Sequence, residues 1–134
     1  MRHARRADAV ALGLVVAAAL VGLAFWKDLP ARLAIHWGGS GPDTVVAKPL
    51  ALLGIPAFGA ATVAFVRLAP DSLTNTPGGE TVTVLFLGVV FAWVHGVVVV
   101  WNLGYRFDVT LAVLPVLIAG GALVVYASAW NPMG

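Results

Sequence analysis

The chain has 134 residues, 60% of them hydrophobic and 10% charged, with a net charge of +2 and no cysteine. An ordinary soluble domain is about 45–50% apolar and about 25% charged, and a soluble protein this small could not hide so much apolar surface. Disulfides, thiolate metal sites and cysteine nucleophiles are excluded, and eight basic residues scattered over loops do not make the clustered footprint of a nucleic-acid binder.

Met1-Arg2-His3-Ala4-Arg5-Arg6 precedes an apolar run over residues 9–26. A basic start followed by an apolar block resembles a signal peptide. The run is long for that, and bulky Leu23, Phe25 and Trp26 occupy the place of a small-residue cleavage site, so a retained first helix is expected. Within it Gly13 and Ala17, and Ala18 and Gly22, are four apart, a spacing that allows close helix approach but is also common in membrane helices generally. A polar interlude follows, from Lys27 to Lys48.

The second apolar block covers about residues 49–69, with Pro49 suited to a first helical turn. Pro56 within it predicts a kink, and Arg67 is expected to snorkel to the membrane surface. A breaker-rich loop with Asn75, Pro77, Gly78 and Gly79 leads to a third block over about 81–101. A third loop leads to the last block, about 111–130. Blocks of roughly 20 apolar residues are the length that crosses a bilayer. Trp26, Trp101 and Trp130 stand at block ends, where an interfacial aromatic belt belongs. A β-barrel would alternate apolar and polar residues over about ten positions; these runs are apolar on every face. No internal repeat is visible. The expected fold is an all-α membrane protein: a single domain, a four-transmembrane-helix bundle with a short extracytoplasmic loop cap that could include a small β-hairpin.

Orientation is a tie by count. Arg2, Arg5, Arg6 and Arg67 fall on one side and Lys27, Arg32, Lys48 and Arg106 on the other. The three arginines crowding the first helix favour both termini in the cytoplasm and the long first loop outside, since the first helix usually dominates.

In that loop Leu33, Ile35 and Trp37 alternate with Arg32, Ala34 and His36, a period-two pattern that reads as a short strand. Gly38 to Pro42 supplies a turn. The third loop, Tyr105 to Thr110, also has strand composition, so the two loops, on one side of the membrane, could pair as a small sheet capping the bundle. The string Leu29-Pro30, Ile35-His36-Trp37, Gly41, Asp43 and Lys48 resembles the loop of the uncharacterised N-terminal domain of SdpI-type membrane proteins, a family that includes bacterial toxin-immunity and signalling proteins. The resemblance covers the first helix, the loop and the start of the second helix. It implies a protein that senses or binds a peptide, toxin or membrane-protein partner through its outer loops. That family's further C-terminal membrane half, with a loop rich in Asn, Arg, Pro and Gly, has no counterpart after Trp130, so recruitment of a regulator through that half is not carried over.

His36, with Asp28, Asp43 and Asp108 on the same side, could ligate a divalent metal, but these carboxylates lack fixed ligand spacing. The alternative, which is favoured, is that His36 and Asp43 hydrogen-bond the loop into shape. No metal site or cofactor is expected. His95 lies near the middle of the third block, where an ionisable residue is a functional candidate. Gly88, His95 and Asn102 recur every seventh residue, placing them on one helix face. His95 is either a proton-handling group or a neutral imidazole bridging helices through one hydrogen bond, with Thr62 as first partner and Tyr126 or Ser128 next. Ser40, Ser72 and Ser128 have no triad setting, and there is no phosphate-binding loop or HExxH string; the expectation is not an enzyme. Besides the sensor or immunity-like reading, the sequence admits an accessory subunit of a larger membrane complex, suited by small size and Gly/Ala-rich faces, and a small transporter or channel component using His95.

Overall fold

The structure is a computed structural model that describes residues 2–68 and 79–130. Four helices, α1 (Arg2–Ala24), α2 (Lys48–Leu68), α3 (Gly79–Asn102) and α4 (Val109–Trp130), enclose one two-stranded hairpin, β1 (Arg32–Gly38) and β2 (Gly41–Ala47), between the first two. All four helices are long and apolar enough to cross a membrane. The apolar blocks became the spans because a helix satisfies its own backbone hydrogen bonds, the condition for crossing hydrocarbon.

Element ends differ from the apolar blocks in places. α1 starts well before Ala9, since helical backbone continues into the charged N-terminal residues, and it gives way to a 3₁₀ turn at Trp26–Asp28. Pro49 does sit in the first turn of α2, and α2 runs unbroken through Pro56. The expectations on Asn75 and Pro77 lie outside the described residues.

α3 is the central element and packs against α1, α2 and α4. Small residues let α1 come close. Ala7, Ala11, Val15 and Gly22 form its buried stripe. A Cβ built on Gly88 of α3 would lie 2.7 Å from the Cα of Ala11, so the two backbones touch. Of the expected small-residue pairs only the one containing Gly22 reaches this interface; Gly13 has nothing within 4 Å of a built Cβ and faces outward with Ala17. Between α2 and α3, Phe91 fills the space above Gly59. α4 is held to α3 partly by Trp93, whose indole N–H donates to the carbonyl of Ala112 at 2.7 Å. No residue of α4 between Val109 and Tyr126 is buried, and its surface is apolar all round, as suits a helix solvated by lipid.

Near the N-terminal end of α1, Arg67 of α2 grips the carboxylate of Asp8, with Nε donating at 2.9 and 3.0 Å. Arg67 therefore does not simply snorkel to the surface. An arginine fork and a carboxylate match in plane and charge, and a half-buried cation is better satisfied by that partner than by reaching for water.

The expected sheet forms with a different partner. β1 pairs antiparallel with β2, the segment directly after the turn. The third loop contributes no strand: Tyr105 to Asp108 is irregular, entered through Gly104 at φ +115°. The two-residue link Gly39-Ser40 makes the local pairing, and Gly41 takes φ +116° to close it. The register skips Ile35 on β1 and Asp43 on β2. Such bulges break strict alternation further along β1; Leu33 and Ala34, in regular register before them, are both buried, Leu33 in the apolar cluster under the hairpin and Ala34 beside Asn102 of α3.

Candidate functional site

Two places carry the polar chemistry of the fold: the hairpin cap and the middle of α3.

The cap is seated from below by an apolar cluster of Leu29, Leu33, Ala51, Leu52 and Val99. It is latched from the side by Asn102, the last residue of α3. The backbone N–H of Ala34 donates to Asn102 Oδ1 at 2.9 Å, and Asn102 Nδ2 donates to the carbonyl of Ala34 at 2.9 Å. The amide thus pairs with the free edge of β1 as a third strand would, and it also donates to Val98 of its own helix. Lys48 bridges the other flank: its backbone N–H donates to Ala31 and its Nζ to the carbonyl of Trp26, with the ammonium 4.8 Å from the Trp26 ring.

On the outer side, His36 Nδ1 donates to Asp43 Oδ1 at 2.6 Å, and Thr44 Oγ1 donates to the same oxygen. The bulge at Asp43 brings its carboxylate back toward His36 across the ladder. Both side chains are largely exposed, 70% and 49%. The His36 hydrogen bond, followed by that from Thr44, holds the Asp43 carboxyl below its ordinary pKa. Trp37 packs edge-on to Trp101 with ring centroids 5.4 Å apart, and the Arg106 guanidinium lies 3.7 Å over the Trp101 ring. This cation–aromatic stack ties the hairpin to the third loop by side chains rather than by strand pairing.

The loop residues singled out in the sequence therefore divide. Leu29 is buried in the cluster beneath the cap, Gly41 makes the turn, and Pro30 is exposed at the entry to β1. His36, Asp43 and the Trp37 stack form the outer features. Asp108 accepts from the backbone of Leu111 at the start of α4, an N-capping role. Among the described residues no group of three or more His, Asp or Glu side chains comes together as a metal site. The Asn102 latch, the Asp8–Arg67 pair and the Trp101–Arg106 stack had no signal in the sequence beyond the shared face of Gly88, His95 and Asn102.

That face does point into the bundle: all three residues are buried. His95 is 1% exposed and lies over Gly22, where a built Cβ would be 2.8 Å from its Nε2. The expected helix–helix hydrogen bond is not made. Neither ring nitrogen of His95 has a partner among the described residues. Thr62, the first candidate, donates to the carbonyl of Phe58 in its own helix at 2.8 Å. A threonine in a helix has that i−4 carbonyl within reach of its hydroxyl, and here the local acceptor wins.

Residues 13–60 match the model of a family described as a domain of unknown function, DUF1648. The matched stretch runs from the middle of α1 through the whole hairpin and into α2. No curated protein and no solved structure matches the chain.

Proposed function

We propose that this small multi-pass membrane protein is a non-enzymatic sensor or immunity-like protein, of SdpI-like type, whose hairpin cap recognises a peptide, toxin or membrane-protein partner outside the cell. The observation that carries the reading is the mounting of the hairpin. Its inner face is seated on the cluster around Leu33 and its edge is latched by Asn102, while His36, Asp43, Thr44 and Val45 face outward. A pre-ordered surface loses less entropy on binding than a loose loop. The match of this segment to DUF1648, and the likeness of its loop string to SdpI-type proteins, support the same reading. In this proposal both termini are cytoplasmic, with Arg2, Arg5 and Arg6 holding the N-terminus inside.

A photo-crosslinking side chain placed at Val45 in intact cells tests recognition. A discrete polypeptide adduct is expected, and it should be lost when His36→Ala and Asp43→Ala are added. The lipid-facing position Phe58 is the control. Adducts at Phe58 that persist in the cap variants, with none at Val45, would instead make the chain an accessory subunit held by its helices. Orientation is read separately with single cysteines and an impermeant reagent. Ser40→Cys should label and Asn75→Cys should not; the reverse pattern overturns the topology.

A further inference from the structure

His95 poses a physical problem. A buried polar group without a hydrogen bond costs about 1–3 kcal/mol, and both ring nitrogens are in that state among the described residues. Beside the ring, between α1 and α3, lies a crevice of about 460 Å³. Val21 of α1 and Phe25 just after it line one side, His95, Gly96 and Val99 of α3 another, and Tyr105 of the third loop adds to it. The volume falls in the range of about 300–1,000 Å³ typical of small-molecule sites. Apart from His95 and the Tyr105 hydroxyl, those side chains are apolar.

Depth narrows the occupant. His95 is two helical turns from Asn102 at the hairpin end, about 10 Å along the axis at 1.5 Å per residue. A group meeting the imidazole there sits in hydrocarbon, below the level where charged phospholipid headgroups are solvated. It must be neutral and must carry a hydrogen-bonding atom on an apolar body. We propose that the crevice binds a neutral lipid-soluble molecule bearing a hydroxyl or carbonyl group, and that His95 is its hydrogen-bonding partner. Both ring nitrogens are covered, and the residue lines the crevice. Ring χ2 is a broad torsion, and a turn about it carries a nitrogen to the crevice side as the ligand enters.

The test uses the full chain in lipid nanodiscs, with decylubiquinone as the carbonyl probe, dodecanol as the hydroxyl probe and dodecane as the apolar control. The readout is the ¹⁵N shift of the His95 ring, with His36 as internal reference. Saturable shifts of His95 with either polar probe, and none with dodecane, are expected. Gly96→Leu fills the crevice from a position where a built Cβ meets nothing within 4 Å, and Val21→Trp fills it from the exposed face of α1. Each should weaken binding at least tenfold with thermal stability unchanged. His95→Leu should keep or raise thermal stability, because it removes two unpaired polar atoms, and should abolish the distinction between decylubiquinone and dodecane measured by competition with a spin-labelled lipid. Equal His95 shifts with dodecane, binding that survives both blocking variants, or probe-free ring shifts that depend on protein concentration, as partnering by a second copy would give, each overturn the proposal. Crosslinking at Val45 reads the cap and is independent of these outcomes.

Discussion

Asn102 and Ala34 are 68 residues apart and exchange two hydrogen bonds of 2.9 Å, so one side-chain amide completes the edge of β1. Replacing Asn102 with Leu leaves the N–H and carbonyl of Ala34 buried and unpaired. The expected cost is about 1–3 kcal/mol, seen as a lower melting temperature in detergent and faster amide exchange at Ala34. Asn102→Asp keeps the acceptor and loses the donor to the Ala34 carbonyl, so exchange at Ala34 should stay slower than in the Leu variant. Equal exchange in both variants would remove the amide from its role as a latch.

Close approach of α1 and α3 makes glycine substitutions rank in a definite order. Gly88→Ala drives a Cβ against the backbone of Ala11, which cannot step aside, and overpacking of this kind costs about 1–3 kcal/mol. Gly59→Ala meets the Phe91 side chain at 2.8 Å, which can yield, so its cost should be smaller. Gly13→Ala meets nothing and should be neutral, or stabilising by up to about 1 kcal/mol through helix propensity. Melting temperatures in one detergent should fall in the order Gly13→Ala, Gly59→Ala, Gly88→Ala.

The Asp8–Arg67 pair joins the start of α1 to the end of α2. Arg67→Ala strands a half-buried carboxylate, and a hydrogen bond to a charged group is worth about 1.5–3 kcal/mol. Asp8→Asn should destabilise less, because the amide oxygen still accepts. In a double-mutant cycle the Asp8→Ala and Arg67→Ala losses should be less than additive. Additive losses would mean that the two residues act separately.

The exposed His36–Asp43 pair predicts a pH dependence confined to acid. Asp43 has its folded pKa lowered, first by the His36 hydrogen bond. Its contribution to the hairpin is therefore complete above its ordinary value of 3.8 and is lost as pH falls through the lowered folded value. Following the Asp43 carboxyl carbon by NMR should show a midpoint below 3.8 that moves upward in His36→Ala. The pair is solvent-exposed, so limited proteolysis of the cap should change less in His36→Ala than in Asn102→Leu.

Much of the architecture was legible in the sequence. Four apolar blocks determined four spans because the hydrocarbon core has one thickness and a helix one rise per residue. The seven-residue recurrence of Gly88, His95 and Asn102 determined a shared buried face for the same periodic reason. The strand in the first loop was readable from Leu33, Ile35 and Trp37, and the turn from its glycines. Tertiary structure alone decided who meets whom. β1 paired with the segment that a two-residue link places directly beside it, not with the third loop. Arg67 found Asp8, Asn102 found Ala34, and Thr62 turned to its own helix instead of to His95. No period or propensity encodes such matches, since each depends on the distance and angle at which separate elements pack, and those are set by small residues such as Gly88 and Gly22 that look ordinary along the chain.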